Sequence, residues 1–217
     1  MSWKAIAAAL LIATAGSQTV QARTWDESQS EQSAAWREAQ ALIDGAGAPE
    51  LFENLSVGND MKIRHKASGL VCVYSPGERS NSLLLFPGSP QGDDVGCNAD
   101  SGNIYMTVYA TRYQPAISVD EAIESAANGI RSRFPDARPY SGPVLVPDVP
   151  DSVGEPGYVA FLVGQGDRTL YAHARVAKVG EWMFKQRMST PEAMVVGAEA
   201  LISAGRWRDV LEAATAR

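Results

Sequence analysis

Three strand-length segments follow one another with only short turns between them, and they set the tightest limit on how this chain can fold. Tyr158–Val163 leads through Gly164-Gln165-Gly166-Asp167 into Arg168–Ala177, and Lys178-Val179-Gly180 leads on into Glu181–Met188. Connections this short join antiparallel neighbours, because a parallel return needs a crossover of a dozen or more residues. Further strands are expected upstream. Met61, Ile63 and His65 alternate with charged residues, Leu70–Tyr74 is stopped by Ser75-Pro76-Gly77, and Ser82–Phe86 is stopped by Pro87-Gly88. Ile104–Thr111 alternates again at the two-residue period of a half-buried strand, after a loop expected over Ser89–Asn103.

Helical signals are fewer. Trp36, Ala39 and Ile43 with Ala35 and Leu42 form an apolar stripe ending at Asp44-Gly45-Ala46-Gly47, and Pro49–Asn54 reads as a short helical turn. Ser118-Val119-Asp120-Glu121 is a capping box, in which Ser and Glu satisfy each other's free backbone donors. Behind it Val119, Ala122, Ile123, Ala126, Ile130 and Phe134 share one face, and Pro135 ends the helix. Thr190-Pro191 is expected to open a last helix carrying Met194, Ala198, Leu201 and Ile202, broken at Gly205. Strands, helix, strands, helix with hairpin connections predict an α+β fold, an antiparallel sheet with helices packed on it. The expected organisation is a signal peptide over residues 1–22, an N-terminal helical segment over 23–58 and a single domain over 59–217.

That order of elements resembles the PsbP-like fold, shared by DcrB-type periplasmic proteins. The resemblance rests on a strand such as Ile104–Thr111, a Ser-capped helix, meandering strands and a C-terminal helix, across about residues 60–215. It implies a binding or accessory factor more than an enzyme, and it transfers no site residues.

The first 22 residues carry Lys4, an apolar run over Ala5–Gly16 and a polar stretch ending Val20-Gln21-Ala22. The run is shorter than the roughly 20 residues a membrane span needs, and small residues at Val20 and Ala22 fit signal-peptidase cleavage after Ala22. The expectation is a soluble mature protein beginning at Arg23, in a bacterial periplasm or secreted beyond it, with no stable membrane insertion. A frayed polar stretch over Thr24–Ser33 should follow. A formal charge of −6 argues against nucleic acid as a partner, since such binding neutralises many phosphates. In an oxidising compartment the two cysteines, Cys72 and Cys97, are expected to form a disulfide.

Reading Lys178-Val179-Gly180 as a three-residue loop pairs Val176 with Trp182, Ala174 with Phe184 and Leu170 with Met188. The opposite sheet face then gathers Tyr171, His173, Arg175, Lys185 and Arg187, with Met183 among them. Cations side by side repel unless something acidic answers them, so this face is the candidate site for an anion or a protein partner. The plainer alternatives are a solvated face, or one neutralised by carboxylates on a covering helix. Asp93, Asp94 and Asp100 in the Cys97 loop offer oxygen ligands to a cation such as calcium, but in no EF-hand spacing. Neither His65 nor His173 has a second ligand at zinc-site spacing. Gly88-Ser89-Pro90-Gln91-Gly92 lacks the spacing of a nucleophile elbow, and Gly45-Ala46-Gly47 follows a helix where a dinucleotide loop follows a strand. No catalytic residue and no cofactor is expected. The sequence reads as an exported, non-enzymatic binding or accessory factor of the cell envelope, acting on an envelope protein or a small anionic ligand. A periplasmic hydrolase with an unsignposted site is the alternative.

Overall fold

The computed structural model describes residues 33–216, so the expected signal peptide and nearly all of the polar stretch after it lie outside the described residues, as does the side chain of Leu201. Helix α1 (Ala34–Gly45) begins where the Ser33 hydroxyl accepts from the Trp36 amide. It is followed by a small antiparallel sheet of β1 (Phe52–Asn54), β2 (Met61–His65) and β3 (Val71–Tyr74) in that order. The large sheet is antiparallel throughout. It comprises β4 (Ser82–Leu85), β5 (Asp94–Asn98), β6 (Tyr105–Thr111), β7 (Arg138–Pro139), β8 (Gly157–Gln165), β9 (Arg168–Val179) and β10 (Trp182–Pro191). Its strands lie in the order β4-β5-β6-β10-β9-β8-β7. Helix α2 (Val119–Arg133) carries the complete capping box at Ser118 and Glu121. After β10 come a short 3-10 turn (Glu192–Met194), α3 (Val195–Ala198), a π-helical turn (Glu199–Ser203) and α4 (Ala204–Thr215).

Alternation along the strands divides the large sheet into two unlike faces. The inner face sends Val95, Cys97, Met106, Val108, Ala110, Phe184 and Ala177 into the main core. There they meet Ile43 of α1, Ile63 and Tyr74 of the small sheet, and Trp207 and Leu211 of α4. On the outer face α2 packs Ala127 and Ile130 against Phe161, Val163, Leu170 and Ala172 of β8 and β9. Helix α1 is therefore docked, because Ala35, Ala39 and Ile43 belong to the same core as the large sheet.

Several local expectations are revised. Pro49–Asn54 does not form a helical turn; Phe52–Asn54 pairs with Ile63–His65 as β1. The expected Ser89–Asn103 loop contains β5, a strand of unpromising composition that sits between β4 and β6. Gly96 is required there, because a Cβ would lie 2.7 Å from the Val108 carbonyl oxygen and 2.9 Å from the Tyr109 ring. Cys72 and Cys97 are joined as expected, with Cα atoms 6.0 Å apart, and they tie the small sheet to the large one. Thr190 and Pro191 stay in β10, and α4 runs through Gly205. The irregularity in the last helix is the π-helical turn upstream of that glycine.

The largest correction concerns the β9–β10 hairpin. Its turn is the two residues Gly180 and Glu181, with Gly180 at a φ of 57°, a left-handed value suited to a tight hairpin turn. The observed partners are Trp182 with Val179, Phe184 with Ala177 and Met188 with His173. The register differs from the expected one by an odd number of residues, so one strand's faces are exchanged relative to the other.

Candidate functional site

That exchange separates the five residues expected on one basic face. Tyr171, His173 and Arg175 share the inner face with Gln186 and Met188, whereas Lys185 and Arg187 share the outer face with Val176 and Ala174. The two groups have opposite surroundings.

The inner group forms a buried polar centre beneath the π-helical turn. Glu199 is 2% exposed and accepts from three directions. The Tyr171 hydroxyl donates to its Oε1 at 2.5 Å, the His173 Nδ1 lies 2.5 Å from the same oxygen, and Arg175 Nη2 donates to Oε2 at 2.6 Å. The Tyr158 and Tyr171 hydroxyls are hydrogen-bonded to each other. Ser203, at the other end of the π-helical turn from Glu199, donates its hydroxyl to Gln186 Oε1 at 3.0 Å, while Gln186 Nε2 donates to the Ser203 carbonyl. Burial pushes Glu199 towards the neutral acid. The hydrogen bond from His173, the charge of Arg175 and the hydrogen bond from Tyr171 outweigh it and hold its carboxyl below the usual range. Burial pushes His173 down. The centre thus holds a carboxylate, a guanidinium and a neutral imidazole, whose Nδ1–H donates to Glu199. For these three residues a neutralising carboxylate sits on a covering helical segment, one of the two plainer readings open to the sequence.

The arrangement has the outline of a Ser–His–Glu relay, since Ser203 Oγ lies 3.5 Å from His173 Nε2. It lacks what a nucleophile needs. Ser203 has no exposed surface, and its hydroxyl is committed to Gln186. Chemically the centre can orient and neutralise, but it cannot receive a substrate at Ser203.

The outer group lies on the other face of the sheet, at the margin of α2, with Arg187 reaching under Gly129 of that helix. Lys185 and Arg187 are half-buried beside Tyr109, with Lys185 Nζ 4.8 Å and Arg187 Cζ 5.9 Å from its ring centroid. Register places them in a field with Thr107, Tyr109 and Thr111 on β6 and Asp94, Gly96 and Asn98 on β5. Tyr105 on the same face is 54% exposed. Arg187 passes beneath α2 where Gly129 has no side chain, and its Nε is buried without a hydrogen-bond partner among the described residues. Asp94 is the carboxylate closest in register, but its Oδ1 accepts from Thr111. Neither cation is in a salt bridge among the described residues. Burial first and Arg187 second push Lys185 down to about 8, against the pull of Asp94.

The three carboxylates considered for a cation are dispersed. Asp93 pairs with Arg112 at 2.5 Å, Asp94 turns to Thr111, and Asp100 accepts from the Met106 amide at 3.0 Å. No group of three or more His, Cys, Asp or Glu suited to a metal occurs among the described residues. His65 lies in the core between Phe52 and Trp182, with its Nδ1 2.9 Å from Ser68 Oγ. No helix among the described residues is long and apolar enough to cross a membrane. Gln186, Glu199 and Ser203 were not singled out in the sequence, where a lone Glu in a C-terminal helix looks like any solvent-facing residue.

No known protein family matches the chain by sequence, and no curated protein matches it. Among solved structures it is similar to PsbP (CyanoP) from the cyanobacterium Synechocystis, with TM-score 0.46 and 10% identity over 72% of this chain and 94% of that one. It is also similar to a Pseudomonas aeruginosa protein of unknown function, with TM-score 0.36 and 9% identity over 65% of this chain and 90% of that one. A third is LpqN, involved in cell envelope biogenesis of Mycobacterium tuberculosis, with TM-score 0.30 and 8% identity over 74% and 79%. These likenesses concern the outline of the α+β fold and carry nothing about function.

Proposed function

We propose that this chain is an exported, non-enzymatic accessory factor of the cell envelope that docks an acidic surface of a partner protein on the outer face of its large sheet. The observation that carries the reading is the Lys185–Arg187 pair, two neighbouring half-buried cations at the margin of α2 beside Tyr109, in no salt bridge among the described residues. A broad, flat field with Tyr105 and Tyr109 suits a macromolecular surface, since such interfaces are enriched in aromatic residues and arginine. The Cys72–Cys97 disulfide supports an oxidising compartment, in keeping with a signal cleaved after Ala22 and a periplasmic or secreted address.

The test is site-specific photo-crosslinking from Thr107 in living cells, followed by binding measurements with the purified cross-linked partner. Lys185→Glu with Arg187→Glu should weaken that partner at least tenfold in a protein that still unfolds cooperatively, and rising salt should weaken the wild type. Binding should also fall above pH 8, where Lys185 loses its proton. A partner held equally well by the charge-reversed protein removes the reading. Saturable binding of inorganic phosphate in place of a protein would reassign the face to a small anion.

A further inference from the structure

Between β7 and β8 the chain runs from Tyr140 to Pro156 without helix or strand and lies across the inner face as a strap. Beneath it is a cavity of about 60 Å³, several times the ~10–15 Å³ that one water needs. Leu145, Pro147 and Val149 of the strap, with Trp207 of α4, form apolar walls, and Tyr158 and Arg175 supply the polar groups. At the outer margin Leu145 and Val146 are 44% and 81% exposed, an unusual position for two adjacent aliphatic side chains.

Arg175 links this chamber to the polar centre. Its side chain is 3% exposed, and its Nη2 donates both to the Leu145 carbonyl at 2.7 Å and to Glu199. Its Nη1 is buried and has no hydrogen-bond partner among the described residues. A buried guanidinium N–H left unmatched keeps its full desolvation penalty, so a neighbouring acceptor would be favoured.

We infer that the chamber under the strap is a binding site for a small, largely apolar molecule carrying one uncharged oxygen acceptor, an amide or ketone carbonyl, which takes the spare donor of Arg175. The charge balance selects against a carboxylate. Glu199 already matches Arg175, and burial disfavours a charged His173, so an anion would be a second negative charge in a buried site. The aliphatic margin at Leu145 and Val146 is the way in, and the strap closes over the occupant through the Leu145 carbonyl. The chamber lies on the opposite sheet face from Lys185 and Arg187, so it stands or falls independently of the docking surface.

The test uses isobutyramide and isobutyrate as a matched pair, followed by NMR at the Trp207 indole N–H and the Arg175 guanidinium of the intact mature protein. Isobutyramide should shift both signals saturably in the millimolar range at neutral pH, and isobutyrate should bind at least tenfold more weakly. Val149→Phe, or Leu145→Phe as an independent filler, should abolish the shifts while the protein still unfolds cooperatively. Equal or tighter binding of isobutyrate overturns the inference. So does the absence of a saturable shift with isobutyramide, or binding that survives in both filled variants.

Discussion

Replacing Glu199 with glutamine isolates the charge at the centre of the molecule. The side chains of Glu199 and Arg175 are 2% and 3% exposed, so neither reaches water in the folded state. Glutamine keeps the shape and retains one carbonyl oxygen for Tyr171 and His173. It leaves the guanidinium of Arg175 buried without its counter-charge and turns an amide N–H towards a donor. Removing one member of a buried pair costs about 3–5 kcal/mol, because the surviving charge stays desolvated. For a chain of this length each kcal/mol moves the melting temperature by about 2–4 °C, which puts the expected loss at roughly 6–20 °C. The assay is urea unfolding at neutral pH, followed by the fluorescence of the buried Trp182 and Trp207. The second arm is Arg175→Met added to Glu199→Gln, which removes both charges and should recover most of the lost stability. A single variant within about 1 kcal/mol of wild type would refute the claim that the pair is electrostatically committed. So would a double variant no more stable than the single one.

The same centre sets the acid limb of stability. Folding holds His173 below its ordinary value, so below about pH 6.5 the unfolded chain takes up a proton that the native protein refuses. Stability should therefore be fully present above pH 6.5 and fall by up to ~1.4 kcal/mol per pH unit as pH drops towards the folded value. His173→Gln should flatten that slope, and an unchanged slope would count against it. Cys72→Ala with Cys97→Ala should cost roughly 3–4 kcal/mol in the chain-entropy model for a loop of 25 positions, measured by denaturation with and without reductant. Gly96→Ala should destabilise by about 1–3 kcal/mol, since its Cβ would press on the Val108 carbonyl, which a melting curve would show.

The α+β class was legible because period-two segments and hairpin-length turns leave few alternatives. The capping box at Ser118 and the joining of Cys72 to Cys97 were equally open to a reader of the chain. Strand β5 was hidden because Asp94, Gly96 and Asn98 are poor strand formers. Gly96 is fixed by a contact with β6 that no local pattern announces. Of the candidate site, the sequence offered Tyr171, His173, Arg175, Lys185 and Arg187 as one face, and their partition between two faces turned on whether Gly180 closes a three-residue turn or opens a two-residue one. Glycine satisfies either, and the odd shift between them decides which side chains meet water. Glu199 and Ser203 were out of reach, because only packing shows which face of the last helix they occupy.

The π-helical turn also governs the phase of the C-terminal segment. Val195, Glu199, Ser203, Trp207 and Leu211 are all buried at a strict four-residue spacing. In a regular α-helix each such step advances by about 40°, so four steps would rotate Leu211 by about 160° away from the line of Val195. The wider turn over Glu199–Ser203 takes back part of that rotation and returns Trp207 and Leu211 to the core. Straightening it at constant length would swing α4 by the angle of one residue, about 100°, and expose the Trp207 face. Deleting a single residue within the turn would leave both flanks aligned and displace chiefly Ser203. This stretch of chain is therefore built to absorb the loss of a residue, but not the loss of its irregularity.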